Sequence, residues 1–383
     1  MDRNQLVGLT LISLILITYL QFFAPKPPPS AQPPATTQEL PTVTAEKATA
    51  TPRLSPAPTP PNSVFAPAVQ GTEKEVVLEN EVMRVTLTSH GGKVKQVLLK
   101  HYKDPHGEPL VLLDAQSSDM GFRLPVQGDA VYTSSLFFDT ADHDQQVSDT
   151  AVASATFLLP VGPEQYLKHT FTLAGQGYTL EHAWEVVGLR SVLDATPIRF
   201  VWNDHIKRAE KDLKACRNKT TINYYLAKDK FNALKEHAST SQERLLNSPV
   251  QWVGIKQRFF TAAIIAQTPF ASGYVATTPT PQSTTTVKEA KMRLALPEVA
   301  PNEDPKGTFT FYFGPNDYYT LKQVTKGFAK NIYLGWPVVR WINQLLIMPL
   351  FTLLELYVSS YGLIIVLLVL VIKLLLLPLS YRS

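Results

Sequence analysis

A single lysine, Lys373, lies within a run of apolar residues where an ammonium group could bind a charged ligand. The run covers residues 362–379, GLIIVLLVLVIKLLLLPL, and Lys373 is its only charge. A charge at mid-membrane costs about 2.5 to 3.5 kcal/mol on insertion scales, so such a residue usually has a function. However, Lys373 stands about 9 Å from the end of the run, and its long stem could reach the lipid headgroups. A snorkelling side chain and a polar intramembrane cavity are both open interpretations.

A second group of side chains could contact a sugar. Arg199, Trp202, Asp204 and His205 combine an aromatic ring with ionisable groups within seven residues. In a groove of a β-sandwich these residue types can stack on a sugar ring and bind its hydroxyls. Hydrolysis would need two facing carboxylates, and the sequence does not place such a pair on facing strands. We therefore predict no catalytic residues here and no enzyme activity for the chain.

Metal and thiol chemistry have weak support in the sequence. His101, Asp104 and His106 lack a third ligand at helical or hairpin spacing, which favours a solvated loop over a metal site. Cys216 is the only cysteine, and this excludes a disulfide framework and a cysteine-based zinc site. Several cations near Cys216 could lower the pKa of its thiol, but no nucleophile motif surrounds it, so a spectator thiol is favoured. We predict no metal and no cofactor.

The overall charge does not favour nucleic acid as a partner. The chain has 383 residues, of which 18% are charged, and its formal net charge is +4. No block of Lys and Arg is interleaved with stacking aromatic residues. The hydrophobic residues are concentrated at the two ends of the chain, so the lipid bilayer is the predicted contact surface.

The ends of the chain have the pattern of membrane anchors. Residues 6–23 contain no charge and reach roughly 27 Å as a helix, close to the hydrocarbon thickness of a bilayer. A cleaved signal peptide is the alternative, but the small-residue cleavage pattern is missing. Residues 25–61 contain 12 prolines and no apolar period, which predicts a semi-rigid spacer. Two spans place both chain ends on one side, and we favour the cytoplasm.

The middle of the chain, residues 62–326, has the pattern of an antiparallel all-β domain. Residues 75–100 alternate with period two and predict three strands, with turns at 79–80 and 90–92. Similar patterns predict further strands at residues 151–160, 178–187, 269–278, 291–297 and 307–315. Many strands without long intervening helices favour a sandwich over a parallel sheet.

Residues 337–360 predict an amphipathic helix that lies in the membrane interface. Pro337 suits a helix N-terminus and Pro349 should kink the helix. Trp336, Trp341 and Tyr357 are the predicted interface residues, because amphipathic aromatic side chains favour the headgroup level. The alternative is a helix that packs only on the β domain.

Four segments together resemble the YidC-type membrane protein insertases, particularly the branch found in Bacteroidetes. They are the N-terminal MDRNQLVGLTLISLILITYL, the internal WVGIKQRFFTAAII, the block FYFGPNDYYTLK and the C-terminal MPLFTLLELYVSSYGLIIVLLVLVIKLLLLPLSYRS. The resemblance is spread over the chain in the order of the family. It implies a bacterial inner-membrane protein with a cytoplasmic N-terminus and a periplasmic β-supersandwich similar to sugar-mutarotase folds.

The resemblance also implies a mechanism and its partners. In the family, a membrane core of five helices encloses a hydrophilic groove, and one cation on the first core helix faces that groove. Alignment through Pro378-Leu379-Ser380 places Lys373 at this position, where many members carry Arg. The implied function is insertion and folding of nascent membrane proteins, alone or with the Sec translocon.

The resemblance implies five parts of the chain, and the last of them is cut short. The parts are an N-terminal anchor (1–24), a Pro-rich linker (25–61), the periplasmic β domain (62–326), the interfacial helix region (327–360) and the second transmembrane helix (361–383). The chain stops where the family continues, which predicts a truncated insertase. The alternative function is a membrane-anchored carbohydrate-binding or mutarotase-like module.

Overall fold

The computed structural model describes residues 63–300 and 303–381, and for residues 375–381 it describes the backbone alone. The predicted N-terminal anchor and Pro-rich linker lie outside the described residues. Nineteen strands dominate the described part of the chain, and two longer helices follow them.

The strands come in one nearly continuous series. They are β1 Glu75–Glu79, β2 Met83–Thr88, β3 Lys93–Lys103, β4 Pro109–Asp114, β5 Ser118–Val126, β6 Asp129–Tyr132, β7 Gln145–Gln146, β8 Val152–Gly162, β9 Gln165–Ala174, β10 Thr179–Val187, β11 Arg199–Lys207, β12 Thr221–Leu226, β13 Lys230–Ala233, β14 Gln242–Leu246, β15 Val250–Lys256, β16 Phe260–Phe270, β17 Ser272–Pro279, β18 Thr286–Ala295 and β19 Lys306–Pro315.

These strands form three sheets. An eight-stranded sheet has the order β13-β12-β15-β16-β19-β10-β9-β8, and a six-stranded sheet has the order β14-β17-β18-β11-β5-β6. A five-stranded sheet, β4-β3-β2-β1-β7, is formed mainly by the first strands. Every strand pair in the described part is antiparallel except β1 with β7, which align in parallel through Leu78 and Gln145. The predicted antiparallel all-β domain is confirmed.

The first three strands show how the sequence specifies the sheet. Alternate residues of β1 (Val76, Leu78) and β2 (Met83, Val85, Leu87) are fully buried, as period-two alternation requires. Asn80 forms the turn between these strands, and its side chain accepts hydrogen bonds from the backbone N–H groups of Val82 and Met83. The three predicted strands and both predicted turns are present.

The six-stranded and eight-stranded sheets pack face to face around an aromatic core. Phe122 of β5 and Phe200 of β11 both contact Phe309 of β19 in the opposite sheet, with ring centroids 6.1 Å and 5.8 Å apart. Phe311 packs against Trp202 of β11 in the same way. Large aromatic side chains contribute strongly to such cores. This face-to-face packing is the sandwich that the strand pattern predicted.

The helices are short until the end of the chain. The described helices are α1 Leu213–Lys219, α2 Tyr318–Val324, α3 Pro337–Glu355 and α4 Tyr361–Tyr381, with 3₁₀ turns at Ala66–Val69, Thr133–Ser135 and Phe328–Asn331. Asp317 starts α2, because its carboxylate accepts a hydrogen bond from the Thr320 backbone N–H at 2.8 Å. α2 and the 3₁₀ turn that follows it carry the chain from the β domain to α3.

Helix α3 begins at Pro337 as predicted and contains a π-turn over Asn343–Ile347. Proline has no N–H to donate to the preceding turn, and Pro349 stands two residues after the π-turn. The structure thus has a π-turn just before Pro349, while the kink itself stays a prediction. In the part of the chain that the structure describes, α3 is the one helix long and apolar enough to cross a membrane.

Candidate functional site

An aromatic anchor fixes the end of the β domain. We use this name for Tyr225, Trp252, Tyr312 and Phe328. The Tyr225 and Trp252 rings are parallel with centroids 5.8 Å apart, and Phe328 meets Trp252 edge to face at 5.0 Å. Phe328 and Tyr312 form a second edge contact at 5.2 Å. Because Trp252 Nε1 also donates to the Lys326 carbonyl, the segment before α3 is held at a defined place.

Gly327 makes the close approach of this segment possible. Its φ is +75°, and a Cβ there would lie 2.3 Å from the Tyr225 ring. We expect Gly327→Ala to lower the free energy of unfolding by about 2 to 4 kcal/mol, because backbone strain adds to the clash.

Gly128→Ala is the matched control for this prediction. Gly128 has a φ of +85°, but no atom lies within 4 Å of the position of its added Cβ. Urea unfolding of the full chain in detergent should show a larger loss in the free energy of unfolding for Gly327→Ala than for Gly128→Ala. Equal losses would mean that the approach to Tyr225 contributes nothing.

Helix α3 directs its amides inward and its apolar side chains outward. Asn343 Nδ2 donates to the Leu334 carbonyl at 2.9 Å, and Gln344 Nε2 donates to the Tyr318 hydroxyl at 3.0 Å. Large apolar residues on other positions of α3 are exposed, including Val338 at 70% and Leu345 at 62%. A helix with its polar contacts toward the protein and an uncovered apolar face is suited to lie against lipid.

The three predicted interface residues are all at the surface. Trp336 is 76% exposed, Trp341 is 63% exposed and Tyr357 is 82% exposed. They stand before, within and just after α3. Such exposure is expected of side chains that contact headgroups, and their contact with a membrane stays a prediction.

Lys373 is exposed on one face of α4. The other face of α4 is buried or half-buried. Its residues recur at helical spacing and are Ile364, Leu367, Leu368, Val371 and Ile372. The face of Lys373 carries Val366, Val369 and Leu370, which are 45–61% exposed. Lys373 therefore lies on the uncovered apolar face of α4, where another helix or lipid could contact it.

A cavity of about 560 Å³ separates α3 from the aromatic anchor. We call it the junction cavity. It is lined by aromatic, amide and cationic side chains that include Phe231, Tyr318, Lys330, Tyr333, Arg340 and Gln344. The sequence did not reveal it, because its walls come from β13, α2, the following 3₁₀ turn and α3. The only available signal was the recurrence of cations and aromatic residues between residues 318 and 344.

The predicted sugar-contact group is divided by the pleat of β11. Trp202 and Asp204 are buried on one face of the strand, whereas Arg199 and His205 lie on the other face and are exposed and half-buried. Trp202 Nε1 donates to the Ser118 hydroxyl at 2.9 Å, so its polar atom is already satisfied. Alternate residues of a strand point to opposite faces, and these four side chains do not converge on one ligand.

Asp204 has an unusual environment. Burial, together with the nearby negative charge of Asp114, raises the pKa of its carboxyl to about 7, while Lys207 acts in the opposite direction. Asp114 itself is paired with Lys207. A carboxyl with this pKa changes its charge near neutral pH.

Two histidines that were not predicted from the sequence lie in the core between the large sheets. His169 Nδ1 is 2.7 Å from the Gly92 carbonyl oxygen. Neither ring nitrogen of His182 has a hydrogen-bond partner among the described residues, and its ring stacks on Phe171 at 4.3 Å. Burial lowers the pKa of His169 to about 4 and holds the pKa of His182 well below its ordinary value. Their inward position follows from the alternation of β9 and β10.

The remaining candidates have structural roles. Burial raises the pKa of the Cys216 thiol, with Glu210 contributing, so the possibility of a thiol activated by nearby cations is wrong. Asp104 accepts hydrogen bonds from the backbone N–H groups of His106 and Glu108 and thereby forms a turn. His101 and His106 are exposed beside it. Among the residues that the structure describes, no group of three or more His, Cys, Asp or Glu could hold a metal.

A family model and the most similar curated proteins both indicate the same family. Residues 75–349 match the family described as the YidC periplasmic domain. A protein named membrane protein insertase YidC from Amoebophilus asiaticus is 49% identical over 388 aligned residues, covering 100% of this chain and 64% of the relative. A protein with the same name from Cytophaga hutchinsonii is 36% identical, covering 96% of this chain and 60% of the relative. The chain thus spans less than two thirds of the length of these relatives.

Solved structures with a similar fold are more distant. A galactose mutarotase-like protein from Lactobacillus casei has a TM-score of 0.40 and 9% identity, covering 63% of this chain and 100% of that protein. A galactose mutarotase related enzyme from Lactobacillus acidophilus has a TM-score of 0.37 and 11% identity, covering 63% of this chain and 97% of the enzyme. These similarities are too weak to indicate an activity for this chain.

Proposed function

Because this chain belongs to the YidC family of membrane protein insertases, we propose that it forms the N-terminal part of an insertase that helps nascent membrane proteins to enter the bilayer. The observation that carries the proposal is the 49% identity over the whole chain to a protein named membrane protein insertase. That similarity covers the membrane-associated helices as well as the β domain. The exposed apolar faces of α3 and α4 support the same conclusion, because both need lipid or a further helix to cover them.

The proposed topology is that of a bacterial inner-membrane protein. The β domain is periplasmic, and both ends of the chain are cytoplasmic. Residues 1–24 and 361–383 span the membrane, residues 25–61 link the anchor to the β domain, and residues 327–360 lie in the interface. The length and composition of α3 also fit a span. Its two amide contacts, to Leu334 and Tyr318, favour a helix held beside the β domain.

Lys373 is the proposed cation of the substrate groove. In the complete insertase its face of α4 meets further helices, and water between them keeps the ammonium charged at lipid depth. A short acidic or polar segment of a substrate then gains a charged partner while it crosses. The groove lowers the cost of moving polar groups through a medium that cannot hydrogen-bond with them.

The free energy of insertion comes from the substrate. About 20 apolar residues that leave water for lipid provide the driving force. The insertase needs no covalent chemistry or cofactor for this step. Its role is to reduce the barrier for the hydrophilic segment next to the substrate helix.

We also propose that the insertase acts both alone and with the Sec translocon. A helix that leaves the translocon enters lipid laterally, and a groove open to lipid can receive it there. Photo-crosslinkers on the exposed surface of the β domain would test this contact. Crosslinks to channel subunits are expected, and crosslinking only to unrelated envelope proteins would contradict the partnership.

Reconstitution tests the proposed function. Liposomes would receive either this chain or a version extended through the rest of the relatives' length, together with a single-span substrate that has a short acidic translocated segment. We expect the extended version to protect that segment from external protease at several times the yield of protein-free liposomes. Equal yields with and without the extended protein would contradict insertase function.

A further inference from the structure

We propose that the junction cavity binds the headgroup of an anionic phospholipid from the periplasmic leaflet. The inference rests on the proposed function, because it needs α3 at the membrane interface. It assigns a specific ligand to a site in the β domain and α3, remote from the proposed groove on α4.

The wall on the side of the β domain is rigid. Lys330 belongs to the 3₁₀ turn whose first residue, Phe328, is buried in the aromatic anchor. The buried Asn331 closes this turn, because its Nδ2 donates to the Phe328 carbonyl at 2.8 Å. Asn331 Oδ1 also accepts a hydrogen bond from Asn223 of β12 at 2.7 Å. Lys330 is thus presented from a fixed backbone.

The opposite wall is one turn of α3. Arg340 and Gln344 are four residues apart, so they lie on the same face of the helix. Gln344 is bonded to the Tyr318 hydroxyl, which comes from the first turn of α2. This bond holds α3 against the β domain and keeps Arg340 at the cavity. The two cations therefore approach one space from separate elements.

The charge of the cavity selects an anion. Lys330 and Arg340 are the ionisable cations of the lining, and no Asp or Glu is among the lining residues. In the part of the chain that the structure describes, neither cation takes part in an ion pair. The Lys330 ammonium lies 5.4 Å from the centre of the Tyr225 ring. Its charge also acts on the carboxylate of Asp229, which is already paired with Lys326. The guanidinium of Arg340 can bind a phosphate through two parallel hydrogen bonds.

The surroundings of the mouth favour a lipid over a soluble anion. Tyr333 lines the cavity and is 75% exposed. Trp336, which stands one helical turn before Arg340 and so on the same side of α3, is 76% exposed. These two aromatic side chains form the rim. A phosphodiester can occupy the charged part of the cavity while its glycerol and acyl chains pass over this apolar rim. A free phosphate contacts only the two cations, whereas a lipid contacts the cations with its headgroup and the rim with its apolar part.

Native mass spectrometry of the full chain tests the site. The protein would be extracted from nanodiscs of phosphatidylcholine with a minor fraction of phosphatidylglycerol, and the retained lipid would be measured. We expect enrichment of phosphatidylglycerol, and on the order of tenfold less retention in Lys330→Gln/Arg340→Gln. The control Lys228→Gln/Lys322→Gln removes two exposed cations outside the cavity and should retain lipid like the unmodified chain.

Three further measurements make the test decisive. Arg340→Lys keeps the charge but loses the two parallel hydrogen bonds, so its lipid retention should lie between that of the unmodified chain and that of the cavity variant. All variants should unfold at the same temperature, because both cavity cations are exposed. Displacement of phosphatidylglycerol by inorganic phosphate would show a soluble-anion site and overturn the proposal, as would undiminished retention in the cavity variant. If the unmodified chain retains no lipid while the extended version still inserts substrates, the lipid site fails and the proposed function stands.

Discussion

Replacing Lys373 by alanine in the extended insertase is expected to slow insertion of substrates with acidic translocated segments by about tenfold or more. A charge pair at about 4 Å contributes roughly 1 kcal/mol in water and about 4 kcal/mol at an effective dielectric constant of 20. A wet groove lies between these limits, and each 1.4 kcal/mol in barrier height changes a rate tenfold. Protease protection of the substrate in reconstituted liposomes measures the effect.

The Lys373 prediction has two internal controls. Lys373→Arg keeps the positive charge and should insert the same substrates at close to the original rate. A substrate whose translocated segment has no acidic residue should depend much less on Lys373. Equal loss for both kinds of substrate would point to a damaged helix, and no loss for acidic substrates would remove Lys373 from the mechanism.

Acidification is expected to destabilise the β domain through its two core histidines. In the folded state His169 and His182 are neutral, because burial lowers the pKa of both rings. In the unfolded chain each ring takes up a proton below its ordinary pKa of 6.5. The unfolded state then binds more protons, so the free energy of unfolding falls as pH falls. For His169, whose pKa is about 4, the loss between pH 6.5 and 4 is about 3 kcal/mol.

Asp204 acts in the opposite direction over part of this range. Its pKa is raised from an ordinary 3.8 to about 7, so the folded state binds the extra proton. Its contribution to stability is present at low pH and is lost as pH rises toward 7. A variant that changes only a histidine separates the two effects, because the Asp204 contribution is common to both proteins.

His182→Phe is the informative variant for the core. It removes two buried ring nitrogens that lack partners among the described residues, and its neighbours are already aromatic. We expect the free energy of unfolding to be about 1 to 3 kcal/mol higher at pH 7 than in the unmodified chain. We also expect it to fall less steeply below pH 6. Urea unfolding followed by tryptophan fluorescence between pH 4 and 7 measures both. His106→Gln, at an exposed turn, should change neither, and an unchanged pH slope for His182→Phe would contradict the account.

The sequence was sufficient for features that depend on local periodicity. The turn at Asn80 and the strands around it follow from alternation and turn chemistry, and the start of α3 follows from Pro337. Strand β16 was harder to predict from the sequence, because it is buried on both faces along most of its length, from Phe260 to Ala266. A continuous apolar run does not distinguish a strand from a buried helix.

Features built from several elements could not be predicted from the sequence. The junction cavity forms only where α2, β13 and α3 come together, and no local sequence pattern indicates how close these elements lie. The sugar-contact hypothesis failed for a different reason, since Trp202 and His205 are close in sequence but lie on opposite faces of β11. The unusual charge of Lys373 is evident from the sequence, and the structure adds that its face of α4 is uncovered.

Aqueous access to position 373 tests the central claim most directly. The measurement uses Lys373→Cys in the extended insertase with Cys216→Ala, because Cys216 is the one cysteine of residues 1–383, and any cysteine of the extension is replaced as well. A cysteine side chain is too short to snorkel, so reaction with a membrane-impermeant thiol reagent requires water at that depth. We expect rapid labelling at position 373 and little labelling of Val371→Cys, which lies on the half-buried face of α4. Equal protection of both positions would contradict a water-filled groove at Lys373.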